Sequence, residues 1–172
     1  MADSPEEIIR FIRATLSAWL NGQERPKAMP ELAARPSQGC FVSLKTRSGR
    51  LRGCIGTLTP TRSSLADELA ENTLAAASRD PRFKPLTREE LDDILISVDL
   101  LSPPEPIPSP EHLDPRRFGV VVRSGSQCGV LLPDLPGVNQ PGQQVSICRE
   151  KAGIPERVPV RLERFTVERF GE

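Results

Sequence analysis

The chain has 172 residues, enough for one substantial core or two small lobes without disulfide or metal staples. Hydrophobic residues at 37% and charged residues at 27% fit a folded soluble protein and exclude a disordered one. Lys+Arg and Asp+Glu both number 23, which leaves no net pull towards nucleic acid, anionic lipid or acidic substrates.

The first segment, "SPEEIIRFIRATLSAWL", opens with Ser4 as helix cap, Pro5 at the first helical position and Glu7 closing a capping box. Ile8, Ile12, Leu16 and Trp19 then recur at helical spacing, with Ile9 and Leu20 widening the stripe. No uninterrupted apolar core of a signal peptide precedes it, and no run approaches the ~20 apolar residues of a membrane span. The expected compartment is therefore the cytoplasm, with thiols kept reduced. Residues 21–39, carrying Pro26, Pro30 and Pro36, read as an irregular connection.

"CFVSLKTRSGRLRGCIGTL" is two strand-like runs about a Ser48-Gly49 turn, so its second arm is the hairpin strand that holds Cys54. "SSLADELAENTLAAASRD" reads as a helix started by Ser63 or Ser64, its alanines suited to close packing on a sheet. Pro81 and Pro85 stop it. "TREELDD" has a capping box from Thr87 to Glu90 and predicts a short helical turn before the strand "ILISVDLLS". "PPEPIPSPEHLDP" reads as a stiff extended connector, and a lobe boundary is expected near 103–115 within a single domain over 1–172. "FGVVVRSGSQCGVLL" predicts a second hairpin turning near Gly125, "GQQVSICREKAG" a helix stopped by Gly153, and "VPVRLERFTVERF" one closing strand whose alternation breaks at Glu163-Arg164. The basic residues of that last stretch are interleaved with acids and read as a solvated strand face. Strands and helices mixed in this way, with tight hairpins, predict α+β with largely antiparallel sheets.

Within the hairpin, "RLRGCIGTL" sets Cys54 between Gly53 and Gly56, with Arg52 two residues before it. Strand alternation places Arg52 and Cys54 on one face and Leu51 and Ile55 on the other. A guanidinium near a thiol favours the thiolate, the form that attacks electrophiles and binds metal. Glycines in a strand mark a bulge, a bend or the close approach of another backbone or a ligand. Cys54 is equally suited to packing as a small buried hydrophobe, and the single histidine, His112, sits among prolines far away in sequence. Cys40, Cys128 and Cys148 have no CxxC spacing and read as structural; no zinc cluster is expected. In "RDPRFKPL", Asp80 and Arg82 flank a proline directly after a helix, where they either bind polar ligands or pair with each other.

These motifs resemble the AMMECR family: "LRGCIGTL", then "ASRDPRFKPL", "ISVDLLSPPEPI", "GVLLPDLPGV" and "ICREKAGI" follow in the family's order from about Phe41 to the C-terminus. The likeness is nearest to the short stand-alone prokaryotic form called AmmeMemoRadiSam system protein A. It implies an α+β fold of two unequal, closely packed lobes and association with a Memo-type protein and a radical SAM protein in a shared modification pathway. The family signature falls on Leu51, Arg52, Gly53, Cys54, Ile55 and Gly56, and its second motif on Asp80, Pro81, Arg82 and Phe83. The sequence departs from the family at "QPGQQVSI", where Pro141 and Gly142 stand at the start of the helix.

Two functional expectations follow. In one, Gly53, Gly56, Asp80 and Arg82 form, with Arg52 and Cys54, a shallow cleft between the lobes that binds a partner protein or small substrate. In the other, Cys54 is a thiolate nucleophile or redox group activated by Arg52, and Asp80 or Arg82 orients the substrate. The first is preferred because no general base is visible. No cofactor or metal is implied by either.

Overall fold

A computed structural model describes residues 4–172. The fold is α+β, with two four-stranded sheets, and the chain divides into two units. The first runs to Leu100 and takes back Glu168–Glu172; the second is Leu101–Val167.

In the first unit, helix α1 (Pro5–Leu20) begins with both halves of its capping box, Glu7 N–H donating to Ser4 Oγ and Ser4 N–H to Glu7 Oε2. A short helix α2 (Pro30–Ala34) interrupts the stretch expected to be irregular; Pro30 sits at its first turn, where a missing N–H costs nothing. Strands β1 (Cys40–Thr46) and β2 (Leu51–Thr57) form the first hairpin, its turn closed by Gly49 at φ +86°. Helix α3 (Leu65–Ser78) is capped by Ser64, whose Oγ accepts from Asp67 N–H. A 3-10 turn at Arg88–Asp93 leads into β3 (Ile94–Leu101).

The sheet order is β2-β1-β3-β8, where β8 is Val167–Gly171, so β2 is an edge strand. Alternation sends Val42, Leu44, Ile96 and Val98 into a core shared with Ile8, Ile12 and Leu16 of α1 and Leu65 and Leu69 of α3. The opposite sheet face carries Phe41, Ser43, Cys54, Ser97 and Asp99, and the β1–β2 register shifts after Leu44, passing over Arg52.

The second unit repeats the theme. Strands β5 (Gly119–Ser124) and β6 (Gln127–Leu131) form a hairpin closed by Gly125 at φ +56°, and helix α4 (Pro141–Ala152) packs on it. Pro141 occupies the first helical turn, so the QPGQQ departure does not prevent the helix from starting there. Gly153, left-handed at φ +66°, ends it. The core joins Val120, Val122, Leu131, Val145, Cys148 and Leu162.

Two elements differ from expectation. Glu105–Ile107 is a strand, β4, within the stretch read as a connector: it pairs with β7 (Arg161–Phe165) at the edge of the order β4-β7-β5-β6, where a proline loses no ladder bond on its open side. The division between the two units falls after Leu100. The closing run is two strands, not one. β7 belongs to the second sheet and β8 to the first, and Thr166 between them exchanges two 2.9 Å hydrogen bonds with Ser102.

Among the described residues, no helix is long and apolar enough to cross a membrane.

Candidate functional site around Cys54

Cys54 lies midway along β2, half-buried, opposite Ser43 of β1. Its thiol accepts a hydrogen bond from Ser43 Oγ at 3.1 Å. Its backbone points the other way, off the edge of the sheet, and is met by the end of α3. Asp80 Oδ2 accepts from Cys54 N–H at 2.9 Å, while Arg82 Nη2 donates to Cys54 C=O at 3.3 Å. The Asp80–Arg82 pair therefore stands where a neighbouring strand would stand, supplying one acceptor and one donor.

The pair is locked to itself as well. Arg82 Nε and Nη2 bind the two Asp80 oxygens at 2.9 and 2.7 Å, and Arg82 N–H donates to Asp80 Oδ1 at 3.1 Å. The Asp80 side chain is 2% exposed and that of Arg82 55%. The Arg82 guanidinium, with help from the two backbone N–H groups and against burial, holds the Asp80 carboxyl down to about 2. Asp80 in turn raises the pKa of Arg82.

The two glycines now have physical reasons. A Cβ on Gly53 would lie 2.1 Å from Ala76 C=O, so α3 rests on β2 at a distance only glycine allows. A Cβ on Gly56 would meet the Phe41 ring at 2.2 Å, so Phe41 lies across the strand on the Cys54 face. Both are close approaches within the protein.

Arg52 stands at the register shift of the hairpin, and its guanidinium reaches to Glu90 and Lys84. Nε and Nη2 form a fork to Glu90 at 2.6 and 2.9 Å, Nη1 donates to Lys84 C=O at 3.0 Å, and the side chain is 15% exposed. This ties β2 to the loop after Pro81 and to the 3-10 turn, and it lowers the pKa of Glu90. Phe83 stands between the two guanidiniums, its ring centroid 5.9 Å from Arg52 Cζ and 5.5 Å from Arg82 Cζ.

The structure thus brings Arg52, Gly53, Cys54, Gly56, Asp80 and Arg82 together in the first unit. His112 lies in the second unit, where its Nδ1 shares a 3.3 Å hydrogen bond with Ser109 Oγ. All four cysteines are free, and burial pushes the Cys40 and Cys148 thiols up to about 12. Among the described residues, no group of three or more His, Cys, Asp or Glu side chains is placed to hold a metal ion.

Sequence reasoning missed four participants. Ser43 was findable, because it stands as far before Ser48 as Cys54 stands after Gly49, which makes the two cross-strand partners. Glu90 is marked in the sequence only as the closing residue of a capping box. Glu68, fully buried on the first turns of α3, accepts from Thr61 N–H at 2.8 Å, from Arg62 N–H at 2.7 Å and from the Thr57 hydroxyl, pinning the chain that leaves β2. Asn72 extends this network to Thr57 Oγ1 and Cys40 C=O, each at 3.2 Å. A polar residue inside a helical pattern carries no mark in sequence that its partners are buried.

Chemically, the arrangement offers a rigid strand edge, a half-buried thiol touched by a hydroxyl, and an exposed guanidinium beside an aromatic ring.

Comparison with known proteins gives these features relatives. The family model described as AMMECR1 matches residues 9–170. A Thermotoga maritima protein is 48% identical over 148 residues, covering 86% of this chain and 85% of that protein. A Clostridium acetobutylicum protein is 39% identical over 168 residues, covering 95% of this chain and 36% of its own length, so the matching stretch there is part of a longer polypeptide. The crystal structure of an uncharacterized protein from Pyrococcus horikoshii has the same fold, with a TM-score of 0.82 at 30% identity over 96% of this chain and 89% of that one.

Proposed function

This chain belongs to the AMMECR1 family, and on that premise we propose that it is a binding component, presenting the Cys54 face of β2 with Arg82 and Phe83 to a partner protein or substrate. Following the family resemblance, the pathway is a modification pathway shared with Memo-type and radical SAM proteins. The observation that carries the reading is the Asp80–Arg82 clamp. It takes up the outward N–H and C=O of Cys54 and holds the thiol in one place, while Ser43 is the side chain hydrogen-bonded to the sulfur. Such a setting favours presentation over turnover, since a thiol nucleophile ordinarily needs a base within reach.

The test is titration of the full chain with a Memo-type and a radical SAM protein. Arg82→Ala and Cys54→Ser are each expected to weaken binding about tenfold or more, the scale of losing one well-placed contact. Unchanged binding by both variants would remove these residues from the interface.

A second reading has one observation in its favour. A hydroxyl donating to sulfur stabilises the thiolate, as Ser43 would for a reactive Cys54. Alkylation of the folded protein across pH, followed for each cysteine by peptide mass, separates the two. An apparent pKa for Cys54 well below the ~8.5 of a free thiol supports a chemical role, and protection until unfolding makes Cys54 structural.

A further inference from the structure

In the second unit, β5 and β7 pair in a register that sets Arg123 directly opposite Arg161. Like charges opposite each other in an antiparallel pair are destabilising. Only one is neutralised: Arg123 Nε donates to Glu163 Oε2 at 2.9 Å, whereas Arg161 is exposed and has no carboxylate partner among the described residues. The two guanidiniums and Glu163 border a groove of about 590 Å³ whose other walls include Pro106, Pro108 and Val160. That volume lies within the ~300–1,000 Å³ range of small-molecule sites.

We propose that this groove binds a small monocarboxylate with an apolar body, its head group bridging Arg123 and Arg161 and its body lying along Pro106, Pro108 and Val160. Three features carry this. A planar guanidinium matches a carboxylate in a two-bond fork. Two guanidiniums against one carboxylate leave a single positive charge, which a monoanion balances and a phosphate dianion overshoots beside Glu163. The proline wall presents few backbone N–H groups, because proline has none, so the body it accommodates is apolar. The site is independent of the Cys54 reading and stands or falls without it.

The probe is 4-phenylbutyrate, added to the full chain and followed by amide chemical shifts. Saturable shifts are expected in residues 121–123 and 161–163, weakening with added salt. Arg161→Ala is expected to lower the affinity about tenfold, and Glu163→Gln to raise it, since a competing carboxylate is gone. Shifts elsewhere, equal binding of the neutral alcohol 4-phenylbutan-1-ol, tighter binding of 3-phenylpropyl phosphate, or wild-type affinity in Arg161→Ala would each overturn the proposal. So would the absence of shifts at millimolar probe.

Discussion

The two hairpins of this protein are built alike and finished differently. Each has a cysteine on its second arm, Cys54 on β2 and Cys128 on β6, followed or preceded by a glycine on which a helix rests. A Cβ on Gly53 would meet Ala76 C=O of α3 at 2.1 Å, and one on Gly129 would meet Cys148 C=O of α4 at 2.2 Å. Each cysteine also touches its cross-strand neighbour, Cys54 through Ser43 Oγ and Cys128 through Arg123 Nη1 at 3.4 Å. What differs is the edge. At β2 the Asp80–Arg82 pair meets the outward backbone of Cys54. At β6 the neighbouring contacts are long side chains: Lys151 Nζ donates to Val130 C=O at 3.2 Å, and Gln127 Nε2 donates to Ala152 C=O at 3.0 Å. A buried carboxylate held by an arginine fixes its strand, whereas exposed amine and amide contacts leave theirs freer to move. The same local plan therefore yields one fixed strand edge and one loosely tended one.

The glycines test the shared half of this comparison and should give the largest effects. Gly53→Ala and Gly129→Ala are each expected to cost about 3 kcal/mol, because backbone must move to admit the methyl group. Gly49→Ala, at a positive φ with nothing within 4 Å of its Cβ, should cost about 1 kcal/mol from backbone strain alone. Urea denaturation of the three variants measures the order. Tolerance of alanine at 129 but not at 53 would break the likeness between the hairpins.

The clamp tests the half that differs. Asp80→Ala leaves Cys54 N–H and the Arg82 guanidinium without their acceptor and is expected to cost about 2 kcal/mol. Hydrogen exchange should speed up at Cys54 and its neighbours in β2 and stay unchanged in β6. Equal loosening of both strands would mean that the pair stabilises the whole chain and not its own edge.

Acid should sharpen the same contrast. Asp80 titrates near 2 in the folded protein against 3.8 for the free group, so its contribution is present in full above about pH 4 and is lost as pH falls towards 2. The stability gap between wild type and Asp80→Asn should close over that window. A gap that stays constant from pH 5 to about pH 2 would contradict the depressed value.

The smallest effect is expected in the second unit. Gln144 is fully buried, donates from Nε2 to Phe118 C=O at 2.8 Å, and leaves Oε1 without a partner among the described residues. Gln144→Leu forfeits a bond of about 1 kcal/mol and removes an orphaned acceptor of similar cost, so the melting temperature should change little. A large loss would point to an ordered water on Oε1 that ties α4 to the sheet.

Much of the fold was legible because its signals are local. Ser4 and Glu7, Ser64, Gly49, Gly125 and Gly153 mark their elements through backbone chemistry that acts within a few residues. The elements misread are those decided by pairing at a distance. Pro106 argued against a strand until β7 supplied the one ladder it needs. The run 158–170 has neither glycine nor proline at Thr166 to show that the parts on either side of it join different sheets. The site divides in the same way. Cys54, Asp80 and Arg82 were visible as residues, whereas the register shift that passes over Arg52 has no mark in strand alternation. That the Arg52 fork closes on Glu90, 38 residues later, is a matter of tertiary geometry.

The junction at Thr166 bears on how the chain folds. Strand β8 completes the first sheet beside β3, and Arg169 of β8 binds the buried Asp99 at 2.6 Å, yet the whole second unit is synthesised between them. During translation β3 remains an open edge, with its acid unneutralised by Arg169, until residues 168–172 emerge. An unpaired edge of this kind invites pairing with the wrong strand. The nascent first unit thus depends on residues made only after the whole second unit to close it.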